Sequence, residues 1–294
     1  MFNYLLPLIA VLIWSGNTLV NKLAVGALEP SEISFLRWLV AGILFSPFML
    51  PVLYRYRASV LKHLKSLIIF GLLGMVIYQS LAYVAAHHTS ATNMGLALAL
   101  SPLLTQLCAV IILGERLSLA AVLGATISLT GISLVLSHGQ PLTLITQGLN
   151  FGDALMFIAT LAYAIYSVLL RKWPLPIPKV LALYVQILVA IVALAPLYFF
   201  SAKQGVTLHS LPLILYAGIP ASMIAPLLWM VAVGKLGASR TASFMNLYPI
   251  FTAALAALFL AESLHWYHFV GATLVLGGVF LATRSPTSTA TTNT

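Results

Sequence analysis

Apolar residues fill this chain in blocks of roughly 20, the length an α-helix needs to cross about 30 Å of hydrocarbon. Short clusters of charged, amide, glycine or proline positions separate them. Ten blocks are marked off, at 4–22, 32–52, 67–86, 91–113, 118–137, 151–170, 179–200, 209–232, 240–260 and 265–283. The pattern predicts an all-α polytopic membrane protein with ten transmembrane helices. Connections are short except at 55–65 and at 139–150, the second a Gly/Pro/Thr stretch between two halves. The tail 285–294 has no apolar residue except Ala290 and is expected to be disordered.

The pattern also repeats. Sliding 91–136 onto 238–283 at a constant offset of 147 matches 14 of 46 positions without a gap. The matches include Pro102 with Pro249, Thr105 with Thr252, Glu115 with Glu262, and Gly124-Ala125-Thr126 with Gly271-Ala272-Thr273. Duplication in an apolar chain is a mark of secondary transporters built from two structural repeats around a central site. We therefore divide the chain into a first five-helix repeat at 1–138, a linker at 139–150 and a second repeat at 151–284. Because each half has five spans, the second enters the membrane inverted relative to the first. Such antiparallel halves can exchange inward-open and outward-open shapes, which is the basis of alternating access.

Charge sets the orientation. With the N-terminus cytoplasmic, eleven basic residues fall on the cytoplasmic side: Arg55, Arg57, Lys62, Lys65, Arg116, Arg171, Lys172, Lys179, Lys235, Arg240 and Arg284. Only Lys22 and Lys203 fall opposite, and Arg37 lies just inside a span. This positive-inside bias places both termini in the cytoplasm. Glu29, Glu32, Asp153 and Glu262 then lie outside.

Composition narrows the class. Hydrophobic residues make up 61% of 294 and charged residues 6%, far from a soluble domain. The net charge of +9 sits in short loops, where it follows membrane orientation rather than nucleic-acid binding. The single Cys108 forms no internal disulfide, and no residues have zinc-ligand spacing, so neither metal nor cofactor is expected. An intramembrane metalloprotease would need H-E-x-x-H, a prenyl or phosphoryl transferase clustered acids for Mg²⁺, and an ATPase a phosphate-binding loop. With five scattered acids, the chain has none of these. The seven histidines all fall near membrane edges without a carboxylate arrangement that suggests catalysis. A channel or scaffold is the remaining class, against which the duplicated prolines and antiparallel halves argue.

Particular residues carry a family resemblance. These are Trp14-Ser15-Gly16-Asn17 in the first span, the stretch from Phe35 through Arg37 to Gly42 in the second, Tyr83 and Pro102, then Gly114-Glu115-Arg116, Gly124 and Gly131. The second half follows with Pro249, Glu262, Gly271 and Gly277-Gly278. The order resembles the EamA domain of the drug/metabolite transporter superfamily, and within it the branch exporting amino acids, aromatic ones included, and other metabolites. The resemblance implies a bacterial inner-membrane exporter of small molecules. It also implies a cavity lined by spans 1, 3, 4, 6, 8 and 9, with the fifth and tenth helices outside it. Outward direction rests on that resemblance alone.

No Asp or Glu lies in the middle third of any span, so a central carboxylate for a cation or proton relay is missing. The residues at depth are neutral: Asn17, Gln79, Ser101, Gln106, Gln186 and Asn246. They either line the path or bond neighbouring helices. Trp14, Tyr78, Tyr83, Tyr163, Tyr166, Trp229 and Tyr248 accompany them, of which Tyr78, Tyr163, Tyr166 and Tyr248 lie several residues inside their spans, where a phenol wants a partner. A cavity of tyrosines and amides without net charge suits a neutral or zwitterionic solute with an apolar or aromatic group, neutral amino acids first. Tyrosine packing between helices gives the same letters. A multidrug or other metabolite exporter is the alternative.

Pro102 and Pro249 occupy matching mid-span positions in spans 4 and 9, where each is expected to leave a kink; static bends are one reading, and the symmetric duplication favours hinges. Glu115 and Glu262 end those spans, as gating charges or as carboxylates near the N-terminus of the next helix. Arg37 attracts a substrate carboxylate or snorkels to the outer interface.

Overall fold

Helices supply all the regular structure described in this computed structural model, which covers residues 2–24, 26–86, 88, 89, 97, 98, 100–115, 119–140, 142, 143, 150–260 and 265–284. Helix α1 (Phe2–Ala24) is followed by α2 (Pro30–Lys62), whose first turn is closed by Glu32 accepting the Glu29 backbone N–H at 2.9 Å. The third pass is α3 (Leu64–Gly71) and α4 (Tyr78–Ala86), joined by a π-helical segment over Leu72–Ile77. Next come α5 (Ser101–Leu113), ended by left-handed Gly114 at φ 69°, and α6 (Leu119–Leu136). The second half opens with α7 (Phe151–Lys172), where Asn150 and Asp153 bond each other's backbone N–H at 2.9 and 3.0 Å. Then follow α8 (Lys179–Phe200), α9 (Leu211–Gly218), a second π-helical segment over Pro220–Ile224, and α10 (Ala225–Leu236). The chain continues through α11 (Ala238–Ser243), a 3₁₀ turn over Phe244–Leu247, α12 (Tyr248–Leu260) and α13 (Trp266–Arg284).

Among the described residues six stretches are long and apolar enough to cross a membrane: Asn3–Val20, Pro30–Lys62, Leu64–Ala82, Phe151–Lys172, Lys179–Phe200 and Leu211–Leu236. Ser101–Leu113, Leu119–Val135 and Trp266–Ala282 are shorter apolar helices. The expected long connection at 55–65 is corrected to a single-residue break at His63, because α2 runs unbroken to Lys62. Nothing between Val52 and Lys62 is Gly or Pro, and the Arg and Lys there are good helix formers. At ~1.5 Å per residue the 33-residue α2 is about 50 Å long and projects well past the hydrocarbon. Most of the linker 139–150 and all of the tail 285–294 lie outside the described residues.

Glycine lets two pairs of helices meet backbone to backbone. A Cβ on Gly71 would sit 2.9 Å from the Val189 side chain and 3.1 Å from the Gln186 carbonyl oxygen. A Cβ on Gly218 would sit 2.9 Å from the Val40 side chain and 3.1 Å from the Arg37 carbonyl oxygen. These two glycines are 147 residues apart, and each directly precedes a π-helical segment or its cap. Helices α6 and α13 meet in the same manner, Gly124 against the Gly278 carbonyl and Gly131 against the Gly271 carbonyl. Shifting Gly124 and Gly131 by 147 gives Gly271 and Gly278, so the offset exchanges the two contacts.

The interior lies between α1, α4, α7 and α10, where Trp229, Tyr166 and Phe70 are among the largest fully buried side chains. Outward-facing Ile43, Phe48, Ile111, Val192, Leu258 and Phe280 are exposed, as an apolar surface facing lipid would be.

Candidate functional site

Five aromatic side chains from four helices converge in this interior. Tyr163 is their hub: its ring centroid lies 5.1 Å from Tyr78, 5.4 Å from Tyr166, 5.9 Å from Trp229 and 6.0 Å from Trp14. Trp14 and Trp229 also approach to 5.4 Å. The tilted and edge-on angles are those favoured by aromatic quadrupoles. Tyr163 and Tyr166 share one face of α7 because they are three residues apart.

Polar tips anchor the rings. The Trp14 indole N–H donates to the Ala221 carbonyl at 3.1 Å, inside the second π-helical segment. A π turn shifts the backbone ladder from i−4 to i−5 and so leaves carbonyls for side chains. The Trp229 indole donates to Ser167 Oγ at 3.2 Å. Among the described residues the buried Tyr166 hydroxyl has no hydrogen-bond partner. Leaving such a hydroxyl unpaired costs about 1–3 kcal/mol.

A second layer lies along α1. Tyr248 and Thr18 share a hydroxyl–hydroxyl bond of 2.5 Å, and Ser15 donates to the Tyr248 carbonyl at 3.2 Å. Asn17 is buried on α1, Ser101 is buried at the start of α5, and Asn246 is buried in the 3₁₀ turn with its side-chain oxygen unbonded. The side chain of Tyr83 lies outside the described residues. Pro102 and Pro249 each stand second in their helices, α5 and α12. There the missing N–H removes no intrahelical bond. The break in the ninth pass is the 3₁₀ turn just before Pro249 rather than a kink at it.

Arg37 is 3% exposed, its side chain enclosed by protein. Its Nε donates to Ser222 Oγ at 2.7 Å and its Nη1 to Gln79 Oε1 at 3.3 Å. The guanidinium carbon lies 5.3 Å from the Trp38 ring centre. Ser222 in turn donates to the Ala217 carbonyl at 2.7 Å, a bond the π geometry makes possible. The position therefore joins α2, α4 and the second π-helical segment.

Glu115 pairs at 3.5 Å with Arg171 on α7, and Lys172 Nζ donates to the Ile112 carbonyl at 2.9 Å, tying α5 to α7 at the end holding their C-termini. Glu262 lies outside the described residues. Among the described residues no three His, Cys, Asp or Glu side chains group to hold a metal ion.

The EamA-like transporter family matches residues 1–137 and again residues 150–284. The chain belongs to that family. As an EamA-like transporter it is similar along nearly its whole length to several relatives described as transporters. An uncharacterized transporter of Bacillus subtilis (strain 168), YyaM, is 27% identical over 286 residues, covering 95% of this chain and 93% of the relative. The uncharacterized inner membrane transporter YedA of Escherichia coli (strain K12) is 24% identical over 290 residues, covering 96% and 92%. A solved crystal structure superposes with a TM-score of 0.76 at 19% identity, covering 95% of this chain and 96% of that one, which shows a shared fold.

In this EamA-like transporter, Trp14, Tyr78, Tyr163, Tyr166 and Trp229 come together, with Gln79 beside them in sequence. Thr18, Ser167 and Ser222 escaped the sequence reading, and Ser15 entered it only within the family resemblance, since small hydroxyl residues in apolar spans look like spacers. Pro220 and the glycines at the two π-helical segments were the available signal for the carbonyls that Trp14 and Ser222 use.

Proposed function

We propose that this transporter exports small neutral or zwitterionic metabolites across the bacterial inner membrane, amino acids with aromatic or neutral side chains first, by alternating access. Both termini are cytoplasmic, and ten passes form two inverted five-helix repeats, at 1–138 and 151–284. The paired glycine contacts related by the 147-residue offset support the repeats. The observation that carries the substrate reading is the five-ring cluster, with its unpartnered Tyr166 hydroxyl, in an interior bordered by neutral amides and hydroxyls. Aromatic walls take an apolar or aromatic body, and hydroxyl and amide groups take its polar end.

The test is counterflow of labelled phenylalanine, threonine and a cationic drug into liposomes holding the purified protein, with and without a pH gradient. Saturable exchange of phenylalanine or threonine is expected. Movement of the cationic drug alone would replace this reading with that of a drug exporter.

A further inference from the structure

The second and seventh passes make one backbone contact twice, and only one copy carries a charge. Arg37 and Gln186 both set a carbonyl oxygen 3.1 Å from the Cβ position of a glycine in the partner half, Gly218 and Gly71 respectively. In each case the valine three residues on, Val40 or Val189, completes the contact at 2.9 Å. Gln186 donates its amide to the Ala182 carbonyl on its own helix at 3.0 Å and to Met230 Sδ on α10 at 3.9 Å, both neutral acceptors. The packing is therefore served by a neutral side chain, and the guanidinium on the other copy is not required by it.

A cation buried in the membrane interior is costly unless an anion pairs with it. Among the described residues Arg37 meets no carboxylate; its two hydrogen-bond acceptors, Ser222 Oγ and Gln79 Oε1, are both neutral. Those acceptors adjoin the ring cluster along the chain: Gln79 follows Tyr78, and Ser222 follows Ala221, whose carbonyl holds the Trp14 indole. A fork of N–H donors matches a carboxylate better than any other small group.

We propose that Arg37, steadied by Gln79 and Ser222, is the subsite for the substrate's carboxylate, with the substrate's apolar body lying against Trp14 and Tyr78. The inference deepens the carrier reading of the same interior and rests on it. A carboxylate group is then required of the substrate, and amines or amides of the same shape are rejected.

The test measures binding of 3-phenylpropionate and of its neutral amide, 3-phenylpropionamide, to the full-length protein by tryptophan fluorescence, alongside the melting temperature. Wild type is expected to hold the carboxylate at least about tenfold more tightly, the scale of one charge-assisted contact. Gln79→Glu places an internal counter-ion where the 3.3 Å bond now lies, so it should fold as well as wild type yet lose the preference. Arg37→Lys should keep part of the preference and Arg37→Gln none. Equal binding of the two probes by wild type, binding of neither, or a preference that survives in a folded Gln79→Glu protein would each overturn the proposal. Counterflow of phenylalanine separates this from the carrier reading: flux without carboxylate preference sinks the Arg37 subsite alone. Carboxylate-selective binding without flux leaves Arg37 standing and sinks amino-acid transport.

Discussion

Two regions of this molecule make the same backbone contact and use it differently. At Gly71 the chain meets Gln186, a neutral side chain bonded to its own helix and to Met230; at Gly218 it meets Arg37, a charged one that crosses to Ser222 and Gln79. What the two share is what folding needs: a glycine, a carbonyl and a valine at van der Waals distance. What they do not share is a positive charge, which the close approach does not need and which we propose serves recognition. Close packing in an apolar solvent draws on dispersion and small residues, so the duplicated feature is steric and the unduplicated one is electrostatic.

The comparison breaks most visibly at its steric half. Leu at Gly71 or at Gly218 should cost at least about 1–3 kcal/mol through overpacking, because the nearest atoms are a valine Cβ and a backbone carbonyl that cannot swing aside. Both variants should lose folded protein alike, as read by yield and melting temperature; a loss confined to one would show that the two contacts are not equivalent. Trp229→Ala acts on the ring cluster with an effect of similar or larger size. Removing a 1% exposed indole should destabilise by about 3–5 kcal/mol and abolish phenylalanine counterflow. Replacing Arg37 by Gln copies the neutral half onto the charged one, and should leave the protein folded while removing carboxylate binding. Tyr166→Phe deletes a hydroxyl that has no partner among the described residues, so stability should change by less than about 1 kcal/mol. A drop in affinity for phenylalanine without a drop in melting temperature would identify that hydroxyl as a ligand contact. Glu115→Gln removes a partly exposed ion pair worth at most about 1 kcal/mol, and flux should be unaffected. Lost flux in a stable Glu115→Gln protein would make the residue a gate instead of a tether.

Much of this was legible along the chain because apolar blocks and rare letters are strong signals. Trp14, Tyr78, Tyr163, Tyr166 and Trp229 stand inside spans, where an aromatic with a polar tip needs a reason, and the structure gathers all five. The burial of Arg37 was not legible, since a basic residue about two turns inside a span either snorkels or finds acceptors, and its acceptors come from 42 and 185 residues away. Nor were the π-helical segments, which differ from ordinary helix by one residue per turn and carry no periodicity of their own. The continuation of α2 to Lys62 was hidden by its charges, which mark the membrane surface but do not end a helix. Pro102 and Pro249 were visible as a pair, whereas their position in the first turn depended on where the preceding helix stopped.

The central claim is that aromatic and neutral amino acids pass through the interior around Tyr163. Counterflow of labelled phenylalanine by wild type and by Tyr163→Ala, in liposomes with equal amounts of folded protein, tests it most directly. The account predicts saturable exchange in wild type and its loss in Tyr163→Ala, the hub of the ring cluster. Exchange that persists in Tyr163→Ala, or none in wild type, would contradict it.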